Sequence, residues 1–456
     1  MSRKRNSLDM VNGPLGKNIL LFSVPLIFSQ TLQILFNSAD TIIVGKFAGD
    51  SALAAVGATG SIVFLLTSLF SGLATGSNVV IARFLGLGQE ERISSSVHSS
   101  ILMAILSGVF LTFFGFFFSR TFLALMSTPE VIIDDSARYM RIYFLGVIFL
   151  LLYDFGAAVL RSKGDTKRPL YFLFLSGIVN VLLNLLTVIV LHLSVVGVAL
   201  ATVVSEALSA FLVLRALTHE EGALKLEWKK LSLDREISRR ILQIGIPAGL
   251  SGVVFSLSNV VIQSSINSFD STVIVAGNAA GSNIEGFVYI GYTAISQATI
   301  TFTSQCIGAR RYDRIRPIML ETAVMVLISA VLMSTLVYVF SPQILTLYTK
   351  DPAVIETGVL RTYYVARLLV LNGLLDVFVN SMRGMGYSGA PTLIMVAGIC
   401  GVRLAWLFTV FPMMRTLDSI YMCYPVSWIV TMLIELFLWL HVYRKEVIPY
   451  ENREKR

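Results

Sequence analysis

Twelve apolar stretches run through this 456-residue chain, near 15–44, 52–82, 93–118, 132–159, 168–191, 196–216, 239–267, 273–305, 315–341, 354–381, 391–411 and 417–443. Each is about as long as the ~20 residues a helix needs to cross a ~30 Å hydrocarbon core. In that medium every backbone N–H and C=O must find a partner within the chain, so such stretches are read as helices. With 55% hydrophobic and 14% charged residues, the composition is that of a polytopic membrane protein. The longest polar segment, Thr218 to Ser238, is too short for a soluble domain. Arg3, Lys4 and Arg5 resemble the start of a signal peptide. The run that follows is too long and lacks a small-residue cleavage site, so a retained first helix is expected.

Charge placement sets the orientation. Alternate loops and the two ends hold 27 Lys and Arg residues, whereas the opposite loops hold 4: Lys46, Arg120, Lys350 and Arg415. By the positive-inside rule both termini are expected in the cytoplasm of a multi-pass protein of the cell membrane. The same bias explains the net charge of +8 without a nucleic-acid partner. Cys306, Cys400 and Cys423 lie in or beside apolar runs and imply no disulfide framework.

The chain repeats itself at an offset of 222 residues. Pro25 then matches Pro247, Asn37 matches Asn259, Gly86 matches Gly308, Phe118 matches Phe340 and Leu123 matches Leu345. Arg161 likewise matches Arg383, Gly164 matches Gly386 and Pro169 matches Pro391. Six spans per repeat is an even number, so both repeats enter from the same side and are parallel. The expected architecture is all-α: an N-lobe over 1–217 with helices 1–6, a cytoplasmic linker over 218–238, and a C-lobe over 239–456 with helices 7–12. The linker is expected to form in part an amphipathic helix along the bilayer surface. A cavity is expected between the lobes.

Polar stripes interrupt the apolar spans. Gln30, Gln33, Asn37 and Asp40 fall on one face of span one, behind Pro25. Ser176, Asn180, Asn184 and Thr187 do the same in span five, and Thr202, Ser205, Glu206 and Ser209 in span six. Span seven has Ser256, Asn259, Gln263 and Asn267, with Ile262 where Asp40 would fall. Span eight has Asn278, Ser282, Glu285, Tyr289 and Tyr292; span ten has Asn372, Asp376 and Asn380. Amides and hydroxyls between membrane helices commonly serve as packing seams, and most of these take that reading. Buried acids more often mark ion or substrate pathways.

Among the acids, Asp40, Glu206 and Glu285 stand out as functional candidates. Gln33, Asn37, Glu206, Glu285, Tyr289 and Tyr292 are expected to line the substrate cavity. There a carboxylate among rings would hold a lipophilic cation. The opposing reading pairs Glu285 with Arg403, which needs a counter-charge such as Glu285 or Asp376. Asp154 and Asp376 precede Arg161 and Arg383 by one to two turns, in keeping with structural networks at the cytoplasmic ends. Glu435, near a cytoplasmic end, is expected to snorkel. No metal-spaced His/Cys set, phosphate loop or nucleophile motif is present, so no enzyme activity, catalytic residue, cofactor or resident metal is expected. Without a nucleotide-binding domain, uphill transport must draw on an ion gradient.

Several segments together resemble the multidrug and toxic compound extrusion (MATE) family of cation-coupled antiporters. They are Gly13-Pro14-Leu15, Leu35-Phe36-Asn37-Ser38-Ala39-Asp40, Ala54-Ala55-Val56-Gly57 and the paired loops Leu160-Arg161 to Pro169 and Met382-Arg383 to Pro391. The resemblance covers essentially the whole chain. It implies two six-helix lobes that rock between outward- and inward-open states and export organic, often cationic, compounds against Na⁺ or H⁺. Residue by residue, it implies that Asp40 is the first-helix aspartate and Pro25 the kink proline. Asn180, with Thr202, would belong to an N-lobe cation site.

Asn184 departs from the resemblance, since many relatives carry aspartate there. A single formal charge tilts the coupling ion toward H⁺, with Na⁺ at Asp40 close behind. Phe255 stands where one branch has a glutamate, and Asp376 does not match that branch's tenth-helix aspartate, so coupling is expected at Asp40, Asn180, Asn184 and Thr202. The expected function is secondary export of small organic, cationic or amphiphilic compounds from a monomer in the lipid bilayer. The alternatives are a flippase for a lipid-linked precursor or an exporter of one metabolite. The flippase ranks lower because buried acids outnumber buried arginines.

Overall fold

A computed structural model of the chain describes residues 8–126 and 128–454; the Arg3, Lys4 and Arg5 cluster lies outside them. The described chain is helical and follows the expected spans. The first six are α1 (Leu15–Phe47), α2 (Asp50–Leu87), α3 (Glu90–Leu125), α4 (Glu130–Ser162), α5 (Lys167–Asn184) and α6 (Ser194–Thr218). Then come α7 (Arg235–Asn267), α8 (Thr272–Gly308), α9 (Ile315–Leu345), α10 (Pro352–Tyr364), α11 (Leu369–Met385), α12 (Gly389–Met395), α13 (Val402–Met413), α14 (Leu417–Glu446) and α15 (Ile448–Glu454). Among the described residues eleven helical segments are long and apolar enough to cross a membrane. The twelfth expected span, α8, has the length at 37 residues but is diluted by Asn278, Ser282, Asn283 and Glu285.

Three spans are less regular than their hydropathy suggests. Span five passes at Asn184 into a π-helical turn, Leu185–Val190, and span eleven holds another, Val396–Gly401, between α12 and α13. Span ten is broken into α10 and α11 by a 3₁₀ turn at Ala366–Leu368. The Ser334 hydroxyl donates to the Ala366 carbonyl at 2.8 Å, which partners one backbone group at the break.

The chain divides into two compact units. One is built on Phe28–Gly249, the other on Asp9–Ile27 together with Leu250–Arg456. Both divisions fall inside proline-containing helices, just after Pro25 in α1 and Pro247 in α7, at positions related by the 222-residue repeat. Repeat symmetry is also visible in backbone geometry. Gly164 (φ +89°) and Gly386 (φ +99°) take left-handed conformations that side chains rarely tolerate. In each loop the glycine N–H bonds to the Arg161 or Arg383 carbonyl at 2.9 Å, and the next N–H bonds to Leu160 or Met382. In the first unit Gly72 and Gly76 of α2 meet Gly245 and Gly249 of α7 so closely that a Cβ at Gly72 would lie 2.3 Å from the Gly249 nitrogen. Small residues four apart on both helices allow this approach.

The segment after α6 forms no amphipathic helix. It makes two 3₁₀ turns, Gly222–Leu224 and Trp228–Lys230, before α7 begins. Polar bonds strap it to α3: the Glu227 N–H donates to His98 Nε2 at 3.0 Å, and Ser99 Oγ donates to the Ser232 carbonyl at 3.1 Å. Buried side-chain acceptors and donors on α3 thus fix the strap where a free helix would have required an apolar face.

Candidate functional site

In the first unit, α1, α5 and α6 bring most of the expected coupling residues together. The Asn184 amide donates to Asp40 Oδ1 at 2.5 Å and to Asn180 Oδ1 at 3.2 Å, while Asn180 Nδ2 donates to Ser205 Oγ at 3.4 Å. Asn184 is fully buried and Asn180 nearly so, whereas Asp40 is half-buried. Asn184 ends α5 where the π turn begins, and such turns recur at functional sites because they re-aim side chains. The apolar cluster of Ile43, Val44, Ala52, Ala55, Val188, Val195 and Val198 ties α1, α2, the π turn and α6 together beside it.

The oxygens left over matter as much as the bonds. Asn184 Oδ1 and Glu206 Oε2 are buried and lack hydrogen-bond partners among the described residues. Thr202 does not join the cluster through its side chain; its hydroxyl donates to Val198 one turn back at 3.0 Å. Ser205, one turn before the face's end at Ser209, contacts Asn180 instead. Sequence reasoning did not single out Tyr139 and Tyr143, which stack 6.3 Å apart on α4. Tyr139 lies within electrostatic reach of both Asp40 and Glu206. Their only sequence signal is a four-residue spacing in an otherwise apolar span.

The remaining candidates divide between the two units. Gln33 and Asn37 are exposed on α1, and Pro25 is buried inside it. Tyr292 is fully buried, and its hydroxyl accepts from Asn372 at 2.6 Å; Tyr289, 42% exposed, meets its ring edge to face at 5.3 Å.

Glu285 does not pair with Arg403. Arg361 of α10 grips it through two bonds of 2.8 Å (Nε to Oε1 and Nη2 to Oε2) and donates a third to Asn278 Oδ1 at 2.5 Å. A bidentate guanidinium leaves this carboxylate little capacity for a passing cation. The polar stripe of span ten shows acids and amides but gives no sign that Arg361 is the partner of Glu285. Arg403 bonds Ser427, Ser258 and Asn259 instead of Asp376.

The other acids also have identifiable surroundings. Asp154 accepts from Ser71 at 2.6 Å, consistent with a bracing role. Glu435 does not snorkel: it is fully buried, and neither carboxylate oxygen has a hydrogen-bond partner among the described residues. Its face of α14 packs inward, where Trp439 Nε1 donates to Ser381 of α11 at 2.9 Å. Among the described residues no three His, Cys, Asp or Glu side chains gather as a metal-holding group.

A family model described as MatE matches the chain twice, at 25–186 and 247–409, two segments whose starts are 222 residues apart. "Probable multidrug resistance protein YoeA" of Bacillus subtilis (strain 168) is 30% identical over 452 residues, 95% of each chain. "Probable multidrug resistance protein YpnP" of the same organism is 27% identical over 358 residues, covering 77% of this chain and 78% of that one. A solved structure described as the outward-facing conformation of a multidrug resistance MATE family transporter of the MOP superfamily aligns with a TM-score of 0.90. It covers 99% of this chain and 100% of its own at 21% identity. Twin matches in register with the internal repeat, and a relative alike from end to end, place this chain in the multidrug and toxic compound extrusion (MATE) family.

Proposed function

We propose that the protein is a secondary transporter that exports amphiphilic organic compounds in exchange for H⁺ or Na⁺. Its relatives' names point to multidrug efflux. In this reading two lobes, 1–217 and 239–456, joined by 218–238, open alternately to either face of the cell membrane, with both termini cytoplasmic. Cationic charge is not required of the substrate, because the carboxylate best suited to a cation, Glu285, is held by Arg361.

The observation that carries the coupling role is the Asp40–Asn184 contact, with Asn184 Oδ1 left buried and partnerless beside it. A carboxylate only accepts hydrogen bonds, but a carboxylic acid can donate one. Protonation of Asp40 would therefore favour rotation of the Asn184 amide, so that Oδ1 accepts and the N–H leaves. Na⁺ would instead be held by Asp40 Oδ, Asn184 Oδ1 and Asn180 Oδ1, a hard-oxygen set. Either ion favours a different arrangement of α1 against α5, and Pro25, lacking an N–H, lets α1 bend. An ion shifts the conformational equilibrium only by such differential affinity. Thr202 and Glu206 frame the same face of α6.

The test is transport by purified protein in vesicles, with H⁺ and Na⁺ gradients imposed separately. Asp40→Asn is expected to fold and bind substrate but lose gradient-driven export. Export by Asp40→Asn at the original rate, with the original ion dependence, would refute the assignment.

A further inference from the structure

In the second unit the charges do not balance locally. Arg403 of α13 is 1% exposed in a membrane-spanning segment and cannot lose its proton under ordinary conditions. Yet among the described residues it pairs with no carboxylate. Nε donates to Ser427 Oγ at 3.1 Å, and Nη1 donates to Ser258 Oγ at 3.2 Å and weakly to Asn259 Oδ1 at 3.4 Å. Nη2 is buried with no partner among the described residues. The acid that might have served, Glu285, is taken up in both oxygens by Arg361. Ring faces supply the rest: the Arg403 guanidinium lies 4.5 Å from the Tyr424 centroid and 5.6 Å from that of Phe255.

Two further unpartnered donors belong to the same cluster. Tyr421, Tyr424 and Trp428 recur at spacings of three and four, so they share one face of α14. The Tyr421 hydroxyl and Trp428 Nε1 are both buried and unbonded. Arg361 sits over the Tyr421 and Tyr424 rings at 5.8 and 5.4 Å, and Trp428 packs 5.8 Å from Tyr424. Among the described residues these three donors are buried without acceptors, one of them carrying a permanent charge, beside the rings of Phe255, Tyr424 and Trp428. A buried donor calls for an acceptor, and for a donor with a permanent charge an anion is the strongest one.

We propose that Arg403, with Tyr421 and Trp428, forms a binding site for the carboxylate of an aromatic or similarly flat organic anion. One carboxylate oxygen accepts from Arg403 Nη2, the other from the phenol or the indole N–H, and the substrate body lies among Phe255, Tyr424 and Trp428. Asn259 is the point of entry. It is half-exposed, its bond to Arg403 is the longest of the set, and an anion that displaces Asn259 Oδ1 exchanges a neutral acceptor for a charged one. The inference rests on the exporter reading and names a substrate class for it: amphiphiles with an anionic group.

Binding to the full-length protein in lipid nanodiscs, with no gradient present, tests the site. The probes are 1-naphthoate, 1-naphthamide and 1-naphthylmethylammonium, which share a ring system and differ in charge. Wild-type protein should bind 1-naphthoate at least about tenfold more tightly than the other two, as expected for a charge-assisted bond. Arg403→Gln should abolish that preference without weakening 1-naphthamide. Trp428→Phe, which keeps the ring packing and removes the N–H, should weaken 1-naphthoate alone.

Equal binding of the three probes by wild-type protein, or an intact preference in Arg403→Gln, would overturn the proposal. If Arg403→Gln does not fold, the wild-type series and Trp428→Phe decide the matter. Because no gradient is involved, failure of ion-driven export in vesicles would count against the exporter reading and leave this result untouched.

Discussion

Replacing Glu285 by Gln isolates the energetics of the buried ion pair in the second unit. The Arg361 and Glu285 side chains are 6% and 11% exposed, and two parallel bonds of 2.8 Å join them. Glutamine keeps the shape but removes the counter-charge, stranding a guanidinium in low dielectric. Breaking such a pair costs about 3–5 kcal/mol. The lower end is expected here, because Asn278 and the Tyr421 and Tyr424 rings still hold the cation. About 3 kcal/mol corresponds to roughly a hundredfold in the folding equilibrium. Arg361→Gln should cost a similar amount.

The Glu285→Gln/Arg361→Gln double variant, with no stranded charge, should lose far less than the sum of the single losses. Equilibrium unfolding in mixed detergent micelles, followed by intrinsic fluorescence, measures all three. In vesicles, Glu285→Gln should reduce transport of cationic and neutral substrates alike. Single-variant losses below about 0.5 kcal/mol, or strict additivity in the double variant, would refute the bracing role.

Gly177 of α5 abuts Phe36 of α1 so tightly that an added Cβ would lie 1.8 Å from the ring. Gly177→Ala should therefore cost about 1–3 kcal/mol by overpacking. Phe36 is one turn before Asp40, so the substitution should also slow ion-driven transport; unchanged stability would contradict the close packing. Outside the spans, Glu220 accepts from Lys163 at 2.7 Å and pairs with Arg168 at 2.5 Å. Burial alone would raise its pKa, but Lys163 and Arg168 outweigh burial and hold the carboxyl below its ordinary value. A lowered folded-state pKa gives stability that is present above the unfolded value, ~4.3, and lost as pH falls through the folded one. Glu220→Gln should remove that acid limb from a stability-versus-pH curve, and an unchanged limb would exclude Glu220 as its source. His98 Nδ1 contacts the Ser94 carbonyl at 2.7 Å while Nε2 accepts from Glu227, so His98→Ala should unfasten the strap. Faster amide hydrogen exchange over 224–231 is the expected readout, and unchanged protection would place the strap's stability elsewhere.

The spans and their repeat were legible in the sequence because both are written in local terms. Apolar length specifies a crossing helix without reference to its neighbours, and Pro25 and Pro247, or Gly164 and Gly386, impose the same backbone constraint wherever they occur. The polar face shared by Asn180 and Asn184 followed from helical spacing for the same reason. Which polar group meets which was not legible, because a stripe specifies a face and not the partner across from it. Thr202 turned back to its own helix, and Ser205 took the contact with Asn180. Glu285 found Arg361, 76 residues away, and Arg403 was left without an acid. The smooth hydropathy of span ten gave no sign of the break at Ala366–Leu368, nor did span five announce its π turn after Asn184. Burial and the lipid-crossing requirement act on each segment separately and can be read from its residues. Charge pairing is decided only when polar atoms on separate helices come within about 3 Å of one another, and only the tertiary structure determines which ones do.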